Sequence, residues 1–285
     1  MAAAGVVLAG GRSSRMGAAK AGLEWHGSTL LARTCGVLRR AGLDPVLVVR
    51  AHSQDLPGLP STVEVVDDPQ EGLGPLQGMA VGLAAVAGRA RVAFVCSVDL
   101  PFLHPQLVRR VLLPFDAAPG TARPDVVLPV AHGFPQPLAA AYRTGLAPKV
   151  AALVEAGRLR PAFVFEDAEV LRLDDDGLLA DDALRAADPA LESFVNVNDR
   201  AGYDAARAQP PPEVTVECFG ALATRHGRGA RPLRAATVGA AAEAVGLALD
   251  GHVLAALNGD RTGRDPQLPL VAGDTVSFLS ADAGG

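Results

Sequence analysis

A chain of 285 residues with 49% hydrophobic side chains has ample material for a buried core, which excludes wholesale disorder and suits one large or two modest domains. The formal charge of -5 comes without a concentrated Lys/Arg block, which argues against a general nucleic-acid binder. No apolar run reaches the roughly 20 residues that a membrane helix needs, so a soluble cytoplasmic protein with neither membrane nor nucleic-acid partners is expected.

In chain order, residues 5–9 (GVVLA) form a short apolar run that ends in Gly10-Gly11. No positive region precedes it, so it reads as a first strand rather than a leader peptide. A helix is expected from about Ser28 to Ala41, with Leu30, Leu31, Thr34, Val37 and Leu38 on one face. Pro45 to Val49 and Val63 to Val66 read as buried strands, the latter ending at Asp67-Asp68. Residues 76–87 read as a small-residue helix, and Val92 to Cys96 as a strand that ends at Asp99. Apolar strands that alternate with helices predict an α/β fold, a mostly parallel sheet with helices on both faces. Ligands of such sheets sit at the carboxyl ends of the strands, where the glycine pair, Asp67 and Asp99 all fall.

Near residue 209 the pattern changes. Gln209-Pro210-Pro211-Pro212 cannot continue a helix and reads as a stiff linker. Beyond it, Val214 to Phe219 alternates as a strand does, residues 238–248 look helical, and Val253 to Leu257 and Asp274 to Leu279 read as strands. Asn258-Gly259 is a turn signal. The expected division is 1–208, a linker 209–212, and a small α+β domain over 213–285. The cysteines Cys35, Cys96 and Cys218 form no CxxC pair and read as small buried residues. The six histidines, His26, His52 and His104 among them, lack metal spacing and read as surface or loop residues.

The segment Leu8-Ala9-Gly10-Gly11-Arg12-Ser13-Ser14-Arg15-Met16-Gly17-Ala18-Ala19-Lys20 carries the most chemistry. Two adjacent glycines after a strand let backbone approach a ligand closely, and exposed N–H groups there can bind phosphate oxygens. Arg15 and Lys20 add positive charge where a triphosphate needs it. The same residues also suit a βα turn with a solvated basic face. The spacing is neither GxGxxG nor GxxxxGK[ST], which disfavours a dinucleotide fingerprint and a Walker A loop.

This segment resembles the signature of the MobA-like nucleotidyltransferases, the molybdenum cofactor guanylyltransferase family. Leu23 to Leu31, Gly74-Pro75-Leu76-Gln77-Gly78, Val98-Asp99-Leu100-Pro101-Phe102 and Phe194-Val195-Asn196-Val197-Asn198 agree with it in order, and together the resemblance covers roughly residues 4–207. It implies a Rossmann-like sheet on which GMP passes from GTP to the phosphate of molybdopterin, with pyrophosphate released. Asp99 would be the magnesium ligand and, with Lys20 and Arg15, the catalytic set. Leu8, Ala9, Gly10, Gly11, Lys20, Asp67 and Asp99 would bind nucleotide. Gln136, Asn196 and Asn198 would lie on the acceptor side. Asp67 and the two asparagines also suit turn or strand-end capping. Relatives carry an asparagine after the second strand where this chain has Arg50, a departure at the base. Gly11 stands where cytidylyltransferases carry a side chain, which leaves room for a purine.

Residues 213–285 resemble the MoaD/ThiS sulfur carriers through EVTVECFGALA, TVGAAAEAVG, ALNGD and LPLVAGDTVSFLS before Gly284-Gly285. That resemblance implies a ubiquitin-like β-grasp domain whose terminal carboxylate becomes a thiocarboxylate. Its partners would be a MoeB-like adenylyltransferase and the molybdopterin synthase large subunit. Ser280-Ala281-Asp282-Ala283 departs from the usual approach to the glycines. The rival readings are a CTP-dependent molybdopterin cytidylyltransferase, a transferase acting on an unrelated phosphate, and a carrier or assembly protein whose transferase half only binds.

Overall fold

The computed structural model describes residues 2–10, 20–70, 72–116, 123–250, 252–262 and 265–280. The chain forms two compact units, Met1–Leu23 with Leu30–Gly202, and Glu24–Thr29 with Tyr203–Gly285. This division differs from the expected boundary at 208. It falls inside the helix Arg200–Arg207, because that helix's second half is tied to the hairpin Glu24–Trp25/Ser28–Thr29. The Tyr203 hydroxyl donates to the carbonyl of Glu24 at 2.5 Å, and Arg207 pairs with the Glu24 carboxylate at 2.6 Å.

The first unit is built on β1 (Ala3–Leu8), β2 (Val46–Ala51), β3 (Val63–Asp68), β4 (Val92–Ser97), β5 (Val126–Ala131), β6 (Ala139–Arg143) and β7 (Val170–Leu173). Their order is β7-β5-β6-β4-β1-β2-β3, and the short strand Phe134–Pro135 pairs with β5 off this path. Every neighbouring pair on the path is parallel except those made by β6, which runs against β4 and β5. The sheet is therefore mostly parallel, as the alternation of elements predicts. Every residue of β1 is buried, and so are the first five of β4, as central strands covered on both faces require.

The covering helices are α1 (Leu30–Arg40), α2 (Pro75–Val86), α3 (Pro105–Leu112) and α4 (Ala147–Glu155). Leu76, Met79, Leu83 and Val86 of α2 join Val6, Leu8, Val49, Val95 and Tyr142 of the sheet and Val150 of α4 in one core. Full burial of side chains this size contributes about 1.5–3 kcal/mol each. The α2 helix lies unusually close to the strands. A Cβ on Gly82 would stand 2.4 Å from Val6 Cγ1, and one on Gly78 would stand 3.2 Å from Leu8 Cδ2. On the other face a Cβ on Gly5 would meet Leu38 of α1 at 2.8 Å. Since alternate strand residues point to opposite faces, α1 and α2 sandwich β1.

His104 departs from the surface reading. It is 9% exposed and caps α3, its Nδ1 accepting the backbone N–H of Gln106 at 3.1 Å. The three cysteines are buried and free, as expected. Burial pushes the Cys35 thiol up to about 12, so it stays protonated. Among the described residues, no helix is long and apolar enough to cross a membrane.

The second unit holds a sheet of β8 (Glu213–Cys218), β9 (Arg231–Arg234), β10 (Val253–Leu257), β11 (Asp260–Arg261) and β12 (Thr275–Ser280). Its order is β9-β8-β12-β10-β11, with β8 and β12 parallel and the remaining pairs antiparallel. The helix α5 (Val238–Ala244) starts at the Thr237 hydroxyl, which accepts the Ala240 N–H at 3.1 Å. It buries Val238, Ala241 and Ala242 against Val214, Val216, Val276 and Phe278. Asn258 (φ 53) and Gly259 (φ 89) make the expected tight turn. Buried Asp274 fixes it, accepting the Asn258 side-chain amide and the Val271 N–H, each at 2.8 Å.

Candidate active site

Four parallel strands, β4, β1, β2 and β3, end on one rim of the first unit's sheet, and the residues beyond them bring two polar groups together. The first lies at β4. Asp99 follows that strand by two residues, and its Oδ2 accepts Lys20 Nζ at 2.6 Å. Its Oδ1 accepts the hydroxyl of Ser97, the last residue of β4. The pair is only partly accessible, with 19% of the Lys20 side chain and 14% of the Asp99 side chain exposed, so a charge pair here is less screened than one on the surface.

Two further segments converge on Asp99. Its carbonyl accepts the backbone N–H of Val197 at 3.0 Å. Val197 is buried and its neighbours Asn196 and Asn198 are exposed, so the alternation presents both amides from a fixed backbone. Asn196 Nδ2 donates to the Phe194 carbonyl at 3.3 Å. From the other direction, the N–H of Ser97 donates to the Leu138 carbonyl at 3.1 Å, which sets the segment 136–138 beside the end of β4. Within it, half-buried Gln136 directs Nε2 to the Phe134 carbonyl at 3.2 Å.

The turn that carries Asp99 is held from behind. Arg33, 7% exposed on α1, donates through Nε to the carbonyl of Pro101 at 2.6 Å. Ser193 accepts the His104 N–H at 3.1 Å, and buried Asp188 accepts the N–H groups of Glu192 and Ser193 at 2.7 and 3.0 Å. These bonds lock residues 99–104 to the segment that leads into Asn196.

The second polar group spans the ends of β1, β2 and β3. Arg50 Nε donates to Asp67 Oδ1 at 2.6 Å across paired residues of β2 and β3. That hydrogen bond holds the Asp67 carboxyl below the usual aspartate range. Asp68 instead accepts the Gln70 N–H at 3.0 Å, a local turn bond. Of the two adjacent aspartates, Asp67 is thus the one joined across strands. Gln54 links the remaining two ends. Its Nε2 donates to the Ala9 carbonyl, and its Oε1 accepts the Ala51 N–H, both at 3.1 Å.

Leu8, Ala9 and Gly10 pass between the two groups. The Leu8 carbonyl accepts the Val98 N–H at 3.2 Å, and Ala9 donates to the Val49 carbonyl at 2.9 Å. A Cβ on Gly10 would stand 3.1 Å from the Ala51 nitrogen, so the bare backbone fits where a side chain would crowd. Gly11 and Arg15 lie outside the described residues, as do Gly284 and Gly285 of the other unit. Sequence reading singled out Lys20, Asp67 and Asp99. It missed Ser97, Gln54 and Arg33. Ser97 sits two residues before a candidate ligand, where proximity alone could have flagged it.

Comparison with known proteins identifies the family. The MobA-like NTP transferase domain family matches residues 5–170. A protein of Mycobacterium tuberculosis described as a probable molybdenum cofactor guanylyltransferase is 40% identical over 207 residues, spanning 71% of this chain and 92% of that protein. A counterpart from Mycobacterium marinum is 41% identical over 176 residues, 60% of this chain and 82% of its own length. Among solved structures, the molybdopterin-guanine dinucleotide biosynthesis protein A of Archaeoglobus fulgidus superposes with a TM-score of 0.54 at 21% identity, covering 71% of this chain and 96% of that one. The 2-C-methyl-D-erythritol 4-phosphate cytidylyltransferase of Thermus thermophilus gives 0.50 at 17% identity, over 73% and 98%. The two structures share the fold, and the family match and the closer sequence relatives carry the assignment: the chain belongs to the MobA-like NTP transferase domain family.

Proposed function

We propose that the first unit transfers GMP from GTP to the phosphate of molybdopterin. An oxygen of that phosphate attacks the α-phosphorus of GTP, the bond from that phosphorus to the bridging oxygen breaks, and pyrophosphate leaves with the electron pair. The observation that carries this reading is the Lys20–Asp99 pair, 2.6 Å apart beyond the end of β4, in a chain 40% identical to a probable guanylyltransferase.

The residues suit the chemistry. No covalent intermediate is required, so alignment and charge neutralisation carry the rate. Lys20 binds the phosphate oxygens, and Arg15, five positions earlier in the sequence, adds a second positive charge. Ser97 fixes the Asp99 carboxylate through Oδ1. Among the described residues no three His, Cys, Asp or Glu side chains gather as a metal cage. A magnesium ion does not need one, since it commonly takes one or two carboxylates and completes its shell with phosphate oxygens and water. The hard oxygens of Asp99 fit that donor set. When bound, the ion neutralises charge that grows on the phosphates. Asn196, Asn198 and Gln136 offer amides that both donate and accept to the acceptor.

The second unit supports a further part of the proposal, a β-grasp sulfur carrier over residues 213–285. Its support is the mixed sheet with parallel β8 and β12 at the centre and the helices Val238–Ala244 and Ala221–His226 packed against it. Its Gly284-Gly285 carboxylate would be adenylated from ATP by a MoeB-like enzyme with loss of pyrophosphate, a sulfur donor would then displace AMP, and the resulting thiocarboxylate would deliver its sulfur at the molybdopterin synthase large subunit.

The test is a nucleotide panel. The full chain is incubated with purified molybdopterin, magnesium and each of GTP, CTP, ATP and UTP, and the product is identified by mass. A guanine dinucleotide product with stoichiometric pyrophosphate is expected. A cytosine dinucleotide in its place would establish the cytidylyltransferase alternative, and no product with any nucleotide would refute the transferase reading.

A further inference from the structure

We propose that Gln54 sets which base the site accepts, reading the base edge with a carboxamide whose direction the strand ends fix. The inference rests on the nucleotidyl-transfer reading above.

After β2 the chain folds back so that every polar group of Gln54 has a partner. Its N–H donates to the Ala51 carbonyl at 3.0 Å, and its carbonyl accepts Arg50 Nη1 at 3.1 Å. The side chain then bridges two strands, from the Ala9 carbonyl to the Ala51 N–H. Backbone partners leave no ambiguity about the two ends of the carboxamide. A carbonyl can only accept and an N–H can only donate, so the nitrogen faces β1 and the oxygen faces β2. A carboxamide has two N–H bonds and two oxygen lone pairs. After these bonds Gln54 keeps one N–H, held on the β1 side, and one lone pair, held on the β2 side.

A turn clamp alone would need nothing more, and placement argues for more. Lys20 and Asp99 mark the phosphate end at β4, and the strand order along the rim is β4-β1-β2-β3. Gln54 spans β1 and β2, so it lies one to two strand spacings from that end, about 5–10 Å, the span of a nucleoside. Between them Gly10 leaves the backbone bare, where a Cβ would crowd the Ala51 nitrogen at 3.1 Å. A base laid along this rim meets the Gln54 amide before the Arg50–Asp67 pair. The carbonyl oxygen at position 6 of guanine can accept the remaining N–H, where the exocyclic amine of cytosine offers no acceptor.

The experiment measures binding of GTP, ITP, CTP and inorganic tripolyphosphate to the full chain and to its Gln54→Ala and Gln54→Glu variants by calorimetry, with melting curves recorded alongside. Inosine keeps that carbonyl oxygen and lacks the 2-amino group. GTP and ITP should weaken about tenfold in both variants, as loss of a hydrogen bond predicts. Tripolyphosphate binding should stay unchanged, and the GTP-to-CTP preference should collapse. Gln54→Glu keeps the acceptor for Ala51 and decides the matter if the alanine variant melts early. An unchanged GTP-to-CTP ratio in Gln54→Glu, or an equal loss for tripolyphosphate, overturns the inference and leaves guanylyl transfer standing. A wild type that prefers CTP, with that preference flattened by the variants, refutes the guanylyl reading but upholds the role of Gln54. A wild type with no base preference overturns both.

Discussion

The ammonium of Lys20 and the carboxylate of Asp99 meet at 2.6 Å although 79 positions separate them in the chain. Asp99 stands two residues past the end of β4, and Lys20 opens the short helix Lys20–Gly22 that meets it there. The pair joins the group proposed to bind phosphate to the group proposed to bind metal. Asp99→Asn keeps the shape and removes the charge. It should lower nucleotidyl transfer by about a hundredfold or more, the scale of losing a preorganised electrostatic group. Single-turnover pyrophosphate release is the measurement, and near wild-type turnover would show that the carboxylate is dispensable.

Arg33 stabilises the turn that carries Asp99 by capping the Pro101 carbonyl from a buried position. Arg33→Ala leaves that carbonyl unpaired and opens space in the core. It should cost about 1–3 kcal/mol, read as a lowered midpoint in urea unfolding followed by a probe in the first unit. Turnover should fall as well, because the backbone of Asp99 loses a support. Arg33→Lys cannot reproduce the same donor geometry and should recover only part of the loss.

The Arg50–Asp67 bond implies a titration. Asp67 sits below its ordinary value of 3.8 because Arg50 donates to the carboxylate. A depressed folded pKa means that the pair's contribution is complete above the unfolded value and is lost as pH falls through the folded one. Nucleotide binding that depends on this carboxylate should hold through neutral pH and fade only below about pH 4. An NMR titration of Asp67 should give a midpoint under 3.8, and Arg50→Met should raise it. A midpoint unmoved by Arg50→Met would show that the hydrogen bond does not govern it.

Deleting Gly284-Gly285 should separate the two proposed activities. Thiocarboxylate formation with an adenylating enzyme, ATP and a sulfur donor should vanish by mass spectrometry, while nucleotide transfer continues at the wild-type rate. Equal modification of the shortened chain would remove the carrier assignment.

Much of the frame was legible in the sequence because hydrophobic periodicity is local. Apolar runs marked β1, β2 and β4, and the apolar face of Leu30 to Leu38 marked α1; Val63 to Val66 form β3 but at the sheet edge, where Val65 is 41% exposed rather than buried as expected. Strand ends place Asp67 and Asp99 on one rim from the sequence alone. What stayed hidden depends on long-range pairing. β6 reads Ala-Ala-Ala-Tyr-Arg, which carries little strand preference, and only its neighbours β4 and β5 make it a strand. Arg33 looks like an ordinary polar helix residue until Pro101 arrives from 68 positions away. Gln54 belongs to no motif, and its partner Ala9 lies 45 positions earlier. His104 looked like a loop histidine because its capping bond and its burial depend on the fold around α3.

The reversed direction of β6 has a consequence for how such a site diversifies. Because β6 starts where β4 stops, with Ala139 beside Cys96, the loop before it reaches the same rim that the parallel strands reach from below. One side of the rim is therefore furnished by outgoing chain and the other by incoming chain, through separate loops. Replacing the 134–138 turn need not disturb Gln54, Arg50 or Asp67, so the proposed nucleotide side and the proposed acceptor side belong to separate segments of one scaffold.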